Sequence, residues 1–352
     1  MSKKTKATVA ITLLASSVYL SGCGLFGGGK LDKIDPPPKV TSLSKGESLD
    51  EGSKNKLTAA EKENSIMTEL YLIDKNGYVV SQTLPLPNEK GIATKALEYL
   101  VVDGPVQDMI PNGFRAVIPA NTNISVNVVK DGTAIVDFSK DFKNYDKKDE
   151  EKILQSITWT LTQFDSIKKV QLQVNGHPLN EMPVNDTPIN PDGLTRADGI
   201  NNDFSDVIDI TNTHALTVYY LADNAKYFVP VTKRVSNTET NDAKAIINEL
   251  VKGPDQRSTL VSAFNPDVAL LNDPVIQEGK VTLNFNENIL GGFEEKIISD
   301  NVLKPLVYSL TEQKGIKSVA VEVNGSTKLL DENGKPLTEP VTRPEKVNTG
   351  SF

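Results

Sequence analysis

From residue 66 onward the chain nearly repeats itself, and a self-match of this length points to two like structural units in tandem. At an offset of 149 residues, Tyr71, Leu72 and Asp74 meet Tyr220, Leu221 and Asp223, while Tyr78 and Val80 meet Tyr227 and Val229. Further on, Lys95 and Ala96 meet Lys244 and Ala245, and Val102, Gly104 and Pro105 meet Val251, Gly253 and Pro254. Val174, Asn175 and Gly176 meet Val323, Asn324 and Gly325. Between these the offset falls to 147, pairing Gly132 and Phe138 with Gly279 and Phe285. The expected division is a first domain at 66–184, a polar linker at 185–212, a second domain at 213–343 and a C-terminal tail at 344–352.

The two copies predict the same elements. "MTELYLID" and "GYVVSQTL" are β-rich runs around the turn at Lys75, Asn76 and Gly77, and "LTVYYLAD" and "KYFVPV" repeat that hairpin. Ile92, Ala93, Ala96, Leu97, Leu100 and Val101 recur at helical spacing, and Gly104 with Pro105 stops the helix. A second hairpin turns at Asp131 and Gly132, a dipeptide suited to positive φ. Ile153, Ile157, Leu161 and Phe164 mark one face of a second helix, and "KKVQLQV" is a last strand ending at Asn175 and Gly176. The order β-β-α-β-β-α-β predicts an α+β fold: two tandem copies of a two-layer α/β sandwich, each a mixed sheet with two helices on one face. Pro305 falls inside the second helix of copy two, where a kink or a late start is expected.

Ahead of the repeat, three lysines precede an uncharged run at residues 7–20, the layout of a secretory leader at 1–22. The run is short of the roughly 20 residues of a membrane span. The sole cysteine, Cys23, follows Leu20, Ser21 and Gly22, and these four residues resemble a bacterial lipobox. That resemblance implies cleavage between Gly22 and Cys23, a thioether-linked diacylglyceryl group on Cys23 and an acyl chain such as palmitate on the new amine, enough for stable anchoring. Gly24 to Lys30 also spells the start of a phosphate-binding loop, but Leu31 stands where a Ser or Thr is required and no strand precedes it. Residues 23–65, rich in Gly, Pro and polar side chains, are expected to be a lipidated N-terminus and flexible tether.

Little in the sequence offers reactive chemistry. The net charge of −8 argues against nucleic-acid binding. The only histidines, His177 and His214, lie in different copies without metal spacing, and both are expected to be solvated turn residues. With Cys23 spent on lipid, no Ser-His-Asp or Cys-His system can be assembled. Asp137 and Asp141 could pair for acid-base work, yet their counterparts are Asn284 and Asn288, so a solvated strand edge is expected. Asp192, Asp198, Asn201, Asn202, Asp203 and Asp206 lack the order of a Ca²⁺ loop and are expected to form a flexible connector. Trp159, on the second helix, is expected in the core. No catalytic residue, metal site, cofactor or small-molecule substrate is expected, and the partner-binding residues are not assigned.

Leader, lipobox, tether and the tandem unit (Tyr-Leu near its start, Gly-Pro after the first helix, Asp131, Gly132, Val136, Asp137 and Phe138 in the second hairpin, then Val-Asn-Gly) together resemble the GerMN-domain family of sporulation and germination lipoproteins. The core order α-β-β-α-β is also similar to the ring-building motif of secretion-system rings. The resemblance implies a lipoprotein on the mother-cell-derived outer forespore membrane, facing the intermembrane space. There it would position the channel complex joining mother cell and forespore. A solute-binding lipoprotein of an importer is the alternative, and a cell-wall or lipid hydrolase a third reading.

Overall fold

Strands alternating apolar with polar residues need one face covered, and each copy covers it with helices placed between the strands in sequence. The computed structural model describes residues 65–205, 211–291 and 296–349. Copy one opens with β1 (Ser65–Ile73) and β2 (Val79–Pro87), an antiparallel hairpin, followed by α1 (Ile92–Glu98). Then come β3 (Ile124–Val128), β4 (Thr133–Phe138), α2 (Glu150–Leu161), β5 (Lys169–Val174) and the two-residue β6 (His177–Pro178). The larger sheet runs β3-β4-β5-β6. Only β4 and β5 are parallel, because α2 supplies the crossover between them. Along β5, Val170, Leu172 and Val174 are buried, and Lys169, Gln171 and Gln173 face outward.

Copy two repeats this with β7 (Thr213–Leu221), β8 (Phe228–Ser236), α3 (Asp242–Lys252), β9 (Val275–Gln277), β10 (Lys280–Phe285), α4 (Asp300–Thr311), β11 (Ser318–Val323) and β12 (Val341–Thr342). Its larger sheet runs β9-β10-β11-β12, again with one parallel pair, β10 and β11. The α+β tandem fold is therefore present, with strands in each copy divided between a hairpin and a mixed sheet. Each hairpin is tied to the second helix of its copy. The Tyr71 N–H donates to Thr160 Oγ1 (3.1 Å), and the Tyr219 N–H donates to Ser309 Oγ (2.9 Å). Side chains such as Ile157, Leu172, Leu306 and Val319 are fully or almost fully buried, each contributing about 1.5–3 kcal/mol.

Several expectations are corrected. The first helix ends at Glu98, not Val101: the N–H groups of Leu100 and Val101 donate to the Leu97 and Glu98 carbonyls, tighter turns that release the chain early. Helix α4 runs through Pro305 without a break, having begun five residues before it. The constant offset of 149 also fails across the first turn. Five residues, 74–78, join β1 to β2, but six, 222–227, join β7 to β8, so Tyr71 matches Tyr219 rather than Tyr220. A slip of one residue would have put the matched side chains on opposite faces.

The largest correction concerns the linker and the tail. Residues 185–205 and 344–349 are built into the body rather than set apart from it. Leu194 bridges Val170 on β5, as Val341 of β12 pairs with Val319 on β11. Ile189, Leu194 and Ile200 are buried, as is Val347. Each copy thus ends in an arm, "LTRADGIN" at 194–201 and "VTRPEKVN" at 341–348, sharing the pattern Thr-Arg, three residues, Ile or Val, Asn. The apolar residue in each arm finds a place in the core, and its polar neighbours find backbone partners, so neither arm is left to solvent.

Candidate functional site: the junction of the two copies

The two arms cross. Ile200, from the arm of copy one, accepts the Thr232 N–H of β8 (2.9 Å) and donates its own N–H to Thr232 Oγ1 (2.9 Å). Val347, from the arm of copy two, does the same with Thr83 of β2, at 3.1 and 2.8 Å. The reciprocity is that of an isologous dimer, here made within one chain.

Each arm then delivers an arginine onto the aromatic ring of its own second helix. The Arg196 guanidinium lies 4.4 Å from the Trp159 ring centre, and that of Arg343 lies 5.2 Å from the Tyr308 ring centre. Tyr71 tilts against Trp159 (5.6 Å) as Tyr219 tilts against Tyr308 (5.5 Å). Glu312 joins the two halves: one carboxylate oxygen pairs with Arg196, and the other accepts from the Tyr219 hydroxyl (3.2 Å) and from Arg343 (3.5 Å). Arg343 also donates to the Tyr219 hydroxyl (3.2 Å) and lies 3.8 Å from Glu69, which accepts from the Tyr71 hydroxyl (3.2 Å). Two carboxylates and two guanidinium groups meet here.

The electrostatics suit a fixed structural cluster. Burial disfavours the Glu312 anion, but Arg196 and Arg343 outweigh it and hold the carboxyl below the ordinary glutamate range. Burial pushes the Tyr308 hydroxyl up to about 12. Burial also raises the Asp74 carboxyl, which accepts from the Tyr227 hydroxyl across the junction (2.8 Å). Glu312 is held as the anion, Arg196 and Arg343 as cations, and the Tyr71 and Tyr219 hydroxyls, raised by burial, stay protonated near neutral pH.

The residues singled out in the sequence are dispersed. Asp137 Oδ1 accepts the Gly176 N–H (2.8 Å), and Asn284 Oδ1 accepts the Gly325 N–H (2.9 Å). The shared role is an acceptor for the Asn-Gly turn, which explains why Asp and Asn interchange there. Asp141 accepts from the Ser139 hydroxyl (3.3 Å), and Asn288 donates to the Asp267 carbonyl (2.9 Å). His177 is exposed on β6. His214 is not a free turn residue: it sits in β7, with its ring nitrogens 2.9 Å from Asn237 Oδ1 and 3.1 Å from Asp242 Oδ1. Trp159 is fully buried and donates to the Gly199 carbonyl (3.1 Å).

The acidic connector is likewise taken up by the fold. Asp198 accepts the Thr195 N–H (2.6 Å), Asn202 donates to Glu151 (3.2 Å) and Asp203 accepts from the buried Lys233 (2.7 Å). The Asp192 N–H donates to Asn190, and Asn201 bonds both copies. Asp206, Gly22 and Cys23 lie outside the described residues. Among the described residues no His, Cys, Asp and Glu cluster fit to hold a metal ion occurs. Sequence reasoning missed Arg196, Glu312 and Arg343, although the repeated Thr-Arg pair in the two arms was a usable signal.

A family model described as "Germane: Sporulation and spore germination" matches this chain twice, over residues 69–180 and 217–329. The chain belongs to the Germane family. It is 53% identical over 371 residues to the spore germination protein GerM of Bacillus subtilis (strain 168), covering all of both chains. It is also similar to the solved tandem GerMN domains of the sporulation protein GerM from Bacillus subtilis, at 57% identity and a TM-score of 0.77, over 82% of this chain and all of that one. The two Germane matches stop short of both arms, so the elements that join the Germane units lie just beyond the matched cores.

Proposed function

We propose that this chain is a lipid-anchored extracytoplasmic scaffold of sporulation and germination, acting by contact rather than catalysis. Membership of the Germane family supports the process. The observation that carries the scaffold role is the junction: ionisable groups converge at Glu312, where they bind the two copies to each other instead of lining an open cleft. In this reading Cys23 carries the lipid after cleavage at Gly22, and the protein stands on the outer forespore membrane facing the intermembrane space. Its partners are proteins of the channel complex between mother cell and forespore.

The importer reading needs a ligand cleft between two lobes. Here the lobes are closed on each other by the arms, and an open concavity at Gln277, Glu278 and Lys280 lies on the β9–β10 turn, away from the junction. An affinity-tagged chain recovered from sporulating cells is expected to bring channel components with it, enriched over an untagged control. Their absence from the eluate, with the tagged chain present, would refute the scaffold role.

A further inference from the structure

Strand β3 is the outermost strand of the copy-one sheet, and the bonds at its two ends fix which of its backbone groups face outward. The Val129 N–H donates to the Thr133 carbonyl, and the Ser139 N–H donates to the Asn123 carbonyl. Residues 123, 125, 127 and 129 therefore turn their backbone groups toward β4. Ile124, Val126 and Val128 turn theirs to the open side, where no other strand of the sheet lies. The strand carries no charge and no proline. Such an edge is a template for another strand.

Copy two blocks the same edge. Leu270 bridges Phe285 and Val275 pairs with Thr282, so residues 271–274 stand against only 283 and 284. The two extra residues make a bulge that contains Pro274, and bulges and prolines are the usual means of disabling an edge. Of these two equivalent edges, the one on copy one is left usable.

We propose that β3 pairs with β3 of a second copy of this chain, antiparallel about Val126, to form an isologous dimer. Ile124 then faces the second copy's Val128, and Val126 faces its equivalent, all through outward backbone groups. Ser125 stands beside Asn127 of the second copy. Asn127 Oδ1 is buried without a hydrogen-bond partner in the single chain, and the exposed Ser125 hydroxyl is a donor for it. No like charges meet within the paired segment. Because the pairing is isologous, β3 of each chain is used up by the other and the assembly closes at two, where a heterologous pairing would extend it into a filament.

The test uses the full chain in non-ionic detergent with Cys23→Ala, so that neither a native thiol nor an acyl chain contributes. Sedimentation is expected to show a species of twice the chain mass that dissociates on dilution. Val126→Pro removes an outward N–H and no bond to β4, and is expected to give a monomer at every concentration, with its melting temperature lowered no more than that of Val126→Ala, which loses the same packing against the core. Ser125→Cys combined with Asn127→Cys is expected to yield a disulfide-linked dimer on a non-reducing gel, which decides the matter if the proline variant does not fold. A monomer at all concentrations without the cross-linked species overturns the proposal. So does a dimer that survives Val126→Pro and does not cross-link.

Discussion

Asn201 and Asn348 hold the same place in the two arms, and each binds both copies at once. Asn201 accepts the Val79 N–H (2.8 Å) and donates to the Val79 and Pro230 carbonyls (2.7 Å each). Asn348 accepts the Phe228 N–H (2.9 Å) and donates to the Phe228 and Ser81 carbonyls (2.8 and 2.9 Å). Both have positive φ, 46° and 52°, a region that Asn tolerates better than most residues. The polar arms are thus the adhesive of the molecule.

Replacing either asparagine by alanine leaves three backbone groups at the junction without their partner. Each substitution is expected to cost about 2–4 kcal/mol in urea unfolding, given about 1–3 kcal/mol for a buried group left unsatisfied. Asn→Asp is expected to cost at least as much, because the carboxylate cannot donate to the carbonyls it would face. A loss below about 0.5 kcal/mol for Asn348→Ala would show that the second arm is the loose tail its sequence position suggests.

Because the arms are exchanged, the two copies are expected to unfold together. Trp159 is the sole tryptophan and reports on copy one, while far-ultraviolet circular dichroism reports on both copies. Coincident denaturation curves from the two probes are the expected result. Two separated transitions would mean that the junction contributes little to stability.

Glu312 predicts a pH dependence. Its carboxyl is held below the ordinary glutamate value of 4.5 despite burial, because Arg196 and Arg343 stabilise the anion. A depressed carboxyl contributes stability that is full above the unfolded value and is lost as pH falls through the folded one. Glu312→Gln is therefore expected to flatten the loss of stability below about pH 4.5. At pH 7 the same variant leaves Arg196 and Arg343 short of a counter-charge. The expected cost is about 2–3 kcal/mol, below that of a fully buried pair because both guanidinium groups keep some solvent contact. Melting curves of both proteins from pH 3 to 8 measure the two effects.

What the sequence made legible was local. Alternation gave β5 and β11, helical spacing gave α2 and α4, and the repeat gave the tandem fold. The misreadings of the linker and the tail share one cause: polar composition does not by itself mean solvation. Arg196 and Asn201 sit in a stretch that looks like a connector, yet each is satisfied by groups more than a hundred residues away at Glu312 and Val79. Composition carries no record of such partners. The repeated Thr-Arg and Asn of the arms did carry one, at 195–201 and 342–348. The slip between Tyr71 and Tyr219 arose from one extra residue in a turn, where an insertion leaves no trace in hydrophobic pattern.

Asp137 offers a sharp separation of a structural from a catalytic carboxylate. If it serves as a general acid or base, Asp137→Asn removes the titratable proton and activity with it. If its task is to accept the Gly176 N–H, the amide oxygen of Asn performs it equally, as Asn284 already does for Gly325. Asp137→Asn is expected to leave both melting temperature and spore yield unchanged, whereas Asp137→Ala is expected to cost about 1 kcal/mol by releasing the turn. A further Asp141→Asn change on the first variant extends the test to the only acidic pair the sequence suggested. Normal heat-resistant spore counts from cells carrying that double variant are the expected outcome, and a collapse of those counts with the protein still folded and present would restore the hydrolase reading.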